Sequence, residues 1–156
     1  MNTDFRVVAL AGKSFTPLFA LDEDALRARG MRRVVADTKP GYPCRVSLED
    51  AEPGERLLLL PFTHHDVDSP YRASGPIFVR ERADTARPAI NVIPLMLHHR
   101  LLSLRAYDAG GMLVAAEVTE GTTLDARIRH AFTDPAVAYL HLHNARPGCY
   151  NCHVER

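Results

Sequence analysis

The chain has 156 residues, enough for one domain with its own hydrophobic core, and its 46% apolar and 24% charged residues are typical of a globular protein. Nineteen basic residues balance nineteen acidic ones, which argues against a dedicated nucleic-acid binder, because such proteins need excess positive charge. No apolar run is long enough for a membrane-spanning helix, and the first residues lack the features of a secretory signal. We therefore expect one cytoplasmic domain over residues 1–156, with neither nucleic acid nor membrane as a partner.

The first half of the chain reads as short strands with one clear helix. Alternating or continuous apolar runs predict strands at 5–11, 32–36, 56–62 and 77–80. Asp22 is a suitable N-cap for a short helix that ends at Gly30. A polar loop, 63–76, is expected to join the third and fourth strands. The stretch 90–100 is ambiguous, because Pro94 either opens a short helix or interrupts a strand.

The second half contains the clearest local signals. Two apolar segments, 101–107 and 112–118, flank Asp108-Ala109-Gly110-Gly111 and predict a β-hairpin. Thr122 and Asp125 form an approximate capping box for a helix that Pro135 ends, and a last strand covers 137–143. Strands joined by turns, with two or three short helices, indicate an α+β single domain built on a mainly antiparallel sheet.

The end of the chain, HLHNARPGCYNCHVER, concentrates residues that bind metals. His141 and His143 should lie on one face of the last strand, because strand side chains alternate between faces. Leu140 and Leu142 would then face the core, and the two histidines would face solvent or a cleft. The turn at 146–148 could return Cys149 and Cys152 to the histidines.

Four interpretations of this segment stay open. A zinc ion would take His141, His143, Cys149 and Cys152 as ligands, although the pairs are closer in sequence than in familiar zinc motifs. Cys-Tyr-Asn-Cys-His also matches the attachment pattern of c-type haem, but no export signal accompanies it. Cys149 and Cys152 could form a switchable disulfide, although no helix follows to activate a thiol. The last interpretation is a packed turn with hydrogen-bonded histidines.

A second cluster of polar residues occupies the predicted loop. It includes His64, His65 and Arg72, and an arginine offers a planar fork to a carboxylate or phosphate. If the loop adjoins the last strand, Arg72 and Arg146 would line one pocket with the histidines. Ion pairing of Arg72 with Asp66 or Asp68 in a solvated loop is the alternative. The predicted ligand-binding residues are Tyr71, Arg72, Ser74, Asn144 and Arg146.

The segments GYPCRVSLEDAEPGERLLLLPF, SPYRASGPIFVRE, RAYDAGGMLVAAEV and HLHNARPGCYNC resemble the bacterial family known as domain of unknown function 1203. The resemblance extends from about Gly41 to the end of the chain. It implies a single domain of about this length and makes haem attachment less favoured. It implies no activity, substrate, cofactor or catalytic residue.

We therefore expect a pocket for a small anionic molecule, in which Arg72 and Arg146 hold the anion. His141 or His143 would act as hydrogen-bond donor or catalytic base if the protein is an enzyme, because histidine changes protonation near neutral pH. No cofactor is required by this hypothesis. A zinc or thiol-redox module and a protein-interaction module without a small ligand are the alternatives, and a homodimer is compatible with each.

Overall fold

The computed structural model describes residues 2–156 and has the predicted α+β architecture. Two antiparallel sheets form the fold. The larger sheet has the strand order β1-β8-β7-β5-β6 and the smaller one the order β2-β3-β4. The strands are β1 Arg6–Val8, β2 Arg32–Val35, β3 Arg56–His65, β4 Ala73–Arg80, β5 Leu101–Tyr107, β6 Leu113–Glu120, β7 Tyr139–Asn144 and β8 Tyr150–Glu155.

Three short α-helices accompany the sheets: α1 Glu23–Ala28, α2 Leu95–His98 and α3 Leu124–Ala131. The predicted cap of α1 is confirmed, because the Asp22 side chain accepts a hydrogen bond from the Ala25 amide at 2.8 Å. Pro94 opens α2 and does not interrupt a strand. The predicted capping box of α3 is wrong: a 3₁₀ turn leads into the helix, and its N-cap Thr123 makes no side-chain cap bond.

The predicted hairpin is confirmed as β5 and β6. The Asp108 carboxylate accepts hydrogen bonds from the Gly110 and Met112 amides, each at 2.9 Å, and this closes the turn. Gly111 adopts φ 79°, a conformation that favours glycine. The edge strand β6 keeps Val118 exposed to solvent.

Three of the differences from the predicted strands affect the site. β3 continues to His65, and β4 begins at Ala73, so the loop between them is shorter than predicted. Residues 150–155, expected to be a terminal turn, form β8 in the interior of the larger sheet. Partners distant in sequence explain this strand, since β8 pairs with β1 on one side and with β7 on the other.

Apolar side chains pack on both sides of the larger sheet. On one side, residues of β5, β7 and β8 pack against Leu124, Ile128 and Phe132, all fully buried. Burial of each such side chain contributes about 2 kcal/mol. On the other side, Tyr150 joins the core of the smaller sheet. The larger sheet is therefore covered on both faces over β7 and β8. No helix within residues 2–156 has both the length and the apolar character needed to cross a membrane.

Candidate metal centre

The facing sheets gather five of the chain's eight histidines. His64 and His65 come from the end of β3 in the smaller sheet, and His141 and His143 come from β7 in the larger one. His153 of β8 lies directly opposite His141. Because three strands from two sheets contribute, the cluster depends on tertiary packing and not on local sequence spacing.

Three of these imidazoles converge. One ring nitrogen from each of His64, His141 and His143 lies within 4.8 Å of the other two. The ring centroids of His64 and His143 are 5.1 Å apart, and the His141 centroid is 6.4 Å from each. Ligands of a tetrahedral metal with bonds of about 2.0–2.1 Å lie about 3.4 Å apart. The three nitrogens would therefore have to approach one another by up to about 1.4 Å to bind one metal ion.

Each of the three rings also carries a buried nitrogen without a hydrogen-bond partner. These atoms are His64 Nδ1, His141 Nδ1 and His143 Nε2; within residues 2–156, Asn151 Oδ1 alone shares this property. A buried polar atom without a partner costs about 1–3 kcal/mol, so native structures rarely retain one without a reason. Three such atoms lie in adjoining rings, which makes these rings candidates for holding a shared electrophile.

The tautomer of His143 suits this role. Its Nδ1 lies 2.9 Å from the Gly148 carbonyl oxygen. A carbonyl can only accept, so Nδ1 carries the hydrogen and donates it. Nε2 is therefore left with a free lone pair. Histidines that bind metals commonly donate their second ring hydrogen to a backbone carbonyl in this way, which fixes the ring's orientation.

Burial keeps the three rings uncharged at neutral pH. It lowers the pKa of His64 and His143 to about 4 and that of His141 to about 2, and the neighbouring histidines add to the effect for His141. A neutral imidazole is the form that binds a metal. The group is therefore ready to coordinate at pH 7 without first losing protons.

Aromatic neighbours hold the rings in place. His64 stacks on Tyr150, with centroids 5.2 Å apart and an interplanar angle of 7°. His65 uses both of its nitrogens elsewhere: Nδ1 donates to the Tyr71 carbonyl, and Nε2 accepts from the Tyr139 hydroxyl, each at 2.7 Å. His65 therefore supports the cluster and is not free to coordinate a metal.

The two cysteines predicted as metal ligands do not join the histidines. Cys152 pairs with Leu142 across β7 and β8 and is buried in the core on the opposite face of the sheet from His141. Burial raises the pKa of its thiol to about 12. Cys149 Sγ instead accepts hydrogen bonds from Arg45 and Asn144. The four-ligand set of His141, His143, Cys149 and Cys152 is therefore divided, and His64 lies where a sulfur was expected.

The haem and disulfide interpretations concern the same terminal segment, most of which forms a strand instead of the expected turn. All three cysteines are free thiols, and Cys149 and Cys152 are not joined in a disulfide. The Cys-Tyr-Asn-Cys-His segment runs into β8, and burial lowers the pKa of His153, which stacks on Tyr139.

The residues predicted to bind an anion lie in two places. Arg72 pairs with Asp66 at 2.7 Å in the exposed β3–β4 loop, the alternative that the sequence left open. In the same hairpin, Ser74 shares a hydrogen bond with Thr63, and Tyr71 packs against the ring of Tyr107.

Arg146 and Asn144 line a separate surface cavity of about 410 Å³, and Arg72 is not among its lining residues. His99, Arg100 and Glu120 also contribute to this cavity. The structure therefore does not bring the two arginines together around His141 and His143.

Two residues at the histidine site, His64 and Arg105, were not among the predicted site residues. His64 was assigned to a loop, although Thr63-His64-His65 follows the apolar run without a turn residue, a signal that could have extended the strand. Arg105 of β5 was not singled out at all. It lies opposite His141 in the register of β5 and β7, on the same face of the sheet.

The fold and the histidine site define a small α+β protein with a candidate metal centre between two sheets. The chain belongs to the family described as protein of unknown function (DUF1203), whose model matches residues 41–156. The matched region contains β3, β5, β7 and β8, and therefore every residue of the histidine cluster. No curated protein and no solved structure matches the chain.

Proposed function

We propose that this protein binds one zinc ion through His64, His141 and His143. The observation that carries the proposal is the convergence of three imidazoles that each hold a buried, unpartnered ring nitrogen. The predicted zinc alternative is kept in a changed form, with three nitrogens in place of two nitrogens and two sulfurs.

The ligand type favours zinc over the hard cations. Neutral imidazole nitrogens suit zinc and other late transition metals, whereas magnesium and calcium require oxygen ligands. The three rings have no carboxylate among them. Their lowered pKa values remove most of the competition from protons above pH 6.

Three protein ligands leave a fourth position of a tetrahedral zinc open. Structural zinc sites are usually closed by four protein ligands, and catalytic sites keep one position for water or substrate. His64 is half-buried, so the open position would face its side of the cluster. Zinc bound by three histidines lowers the pKa of its water to about 7, which supplies hydroxide at neutral pH. The proposed function is thus a zinc centre with an exchangeable ligand.

Metal binding to the purified chain tests this proposal. The protein would be stripped with a chelator and dialysed against buffered zinc, and zinc per chain would be measured for the wild type and for His64→Gln. We expect one tightly bound zinc in the wild type. The variant should bind at least about tenfold more weakly, because even loss of a residue that only supports a ligand costs tenfold or more.

His130→Gln is the matched control, since His130 is exposed on α3. It should bind zinc like the wild type. Equal zinc binding by wild type and His64→Gln would contradict the proposal, as would the absence of binding in a folded wild type.

A further inference from the structure

We propose that Arg105 makes the open position of this zinc centre a binding site for a small oxyanion, such as a carboxylate. The inference rests on the proposed zinc function and names the class of its exchangeable ligand. It also moves the predicted anion site from Arg72 and Arg146 to a different arginine.

The strand register brings Arg105 to the histidine site. In the pairing of β5 with β7, Arg105 lies opposite His141, and Ser103 lies opposite His143. Directly opposed residues of antiparallel strands project from the same face of the sheet.

Arg105 is a half-buried cation without a carboxylate. Its Nε donates a hydrogen bond to Ser103 Oγ at 3.3 Å, and within residues 2–156 it forms no ion pair. Other arginines of similar exposure are neutralised by acidic side chains; these are Arg33, Arg80, Arg100, Arg127 and Arg129. The guanidinium of Arg105 therefore retains donors for a further acceptor.

The positive charges of zinc and Arg105 favour an anion as the exchangeable ligand. Three neutral imidazoles leave the full double charge on a bound zinc, and Arg105 adds a third positive charge on the same face. Without a counter-ion this arrangement is repulsive, and partial burial strengthens the repulsion. An oxyanion that places one oxygen on the metal and another on the guanidinium fork relieves it, and such charge-assisted bonds are about twice as strong as neutral ones.

Acetate binding to the cobalt-loaded protein tests the inference, because cobalt(II) replaces zinc and its visible absorption reports changes in coordination. Wild type, Arg105→Gln and Arg105→Lys would each be loaded with cobalt and titrated with acetate. We expect Arg105→Gln to weaken acetate binding by about tenfold to a hundredfold. Arg105→Lys, which keeps the charge but loses the fork, should fall between the two.

Cobalt affinity separates this inference from the proposed function. Removal of a neighbouring positive charge should leave cobalt binding to Arg105→Gln unchanged or tighter. Arg146→Gln is the matched control, since Arg146 is an exposed arginine of a different cavity. It should bind acetate like the wild type.

Equal acetate binding by wild type and Arg105→Gln, with cobalt bound in both, would overturn the proposed role of Arg105 and leave the metal centre standing. Loss of acetate binding in Arg146→Gln, or no acetate binding to the cobalt-loaded wild type, would also overturn that role. Failure of the folded wild type to bind cobalt would overturn the metal centre and the inference together.

Discussion

Acid should destabilise the metal-free protein through His141 and His143. Burial lowers the pKa of both histidines in the folded chain, so the folded state holds them neutral. The unfolded chain takes up protons at its ordinary histidine pKa of about 6.5. Protonation of these histidines therefore leaves the free energy of unfolding unchanged above about pH 6.5. The free energy falls as the pH drops from there toward the folded-state pKa, which is about 4 for His143 and about 2 for His141.

The size of the effect follows from these pKa values. At pH 5 the unfolded chain lies about 1.5 pH units below its histidine pKa, and each unit corresponds to about 1.36 kcal/mol. His141 and His143 are 4% and 1% exposed and stay neutral in the folded chain, so each costs about 2 kcal/mol at pH 5. Together they remove up to about 4 kcal/mol, a large share of the 5–15 kcal/mol typical of a domain.

Urea unfolding at pH 7 and pH 5, in the presence of a chelator, measures this loss. Carboxylates contribute to any acid effect, so the decisive comparison is with His141→Leu, which cannot gain that proton. Its loss of stability between the two pH values should be about 2 kcal/mol smaller than that of the wild type. His130→Gln should behave as the wild type does. If His141→Leu keeps the full pH dependence, the burial argument for these histidines is wrong.

Three further predictions concern the surrounding structure. Gly121→Ala would place a Cβ 1.8 Å from a backbone carbonyl oxygen of α2. Thermal unfolding should therefore show that the free energy of unfolding falls by more than about 2 kcal/mol, and a wild-type melting temperature would refute the clash. Asp50→Asn removes the buried carboxylate that lies 2.9 Å from the Arg100 guanidinium. Urea unfolding should then show that the free energy of unfolding falls by about 3–5 kcal/mol, and a loss below about 1 kcal/mol would refute the importance of this ion pair. In native alkylation followed by mass spectrometry, the partly exposed Cys149 should react before the two buried cysteines, and the reverse order would contradict their burial.

Local signals predicted much of the fold. The Asp22 cap and the glycine-rich turn after Asp108 act over a few residues, so both could be identified without knowledge of the tertiary structure. β8 could not be identified in this way. Its alternation of Tyr150, Cys152 and Val154 with polar residues is short, and its pairing with β1 joins the two ends of the chain.

The site was predicted only in part. Strand alternation correctly placed His141 and His143 on one face of β7. The sequence could not show that the smaller sheet covers this face and brings His64 to it, because that contact joins residues about 80 positions apart. The sequence also could not show where Cys152 points: its pairing with Leu142 turns it toward the core on the other face of the sheet.

X-ray absorption at the zinc edge, on protein reconstituted with one equivalent of zinc, is the most direct test of the proposed centre. We predict a first shell of nitrogen and oxygen at about 2.0–2.1 Å, with the outer-shell scattering of about three imidazoles. The same spectrum should lack sulfur at about 2.3 Å. A sulfur shell would return Cys149 or Cys152 to the ligand set, and fewer than two imidazoles would contradict a zinc centre formed by His64, His141 and His143.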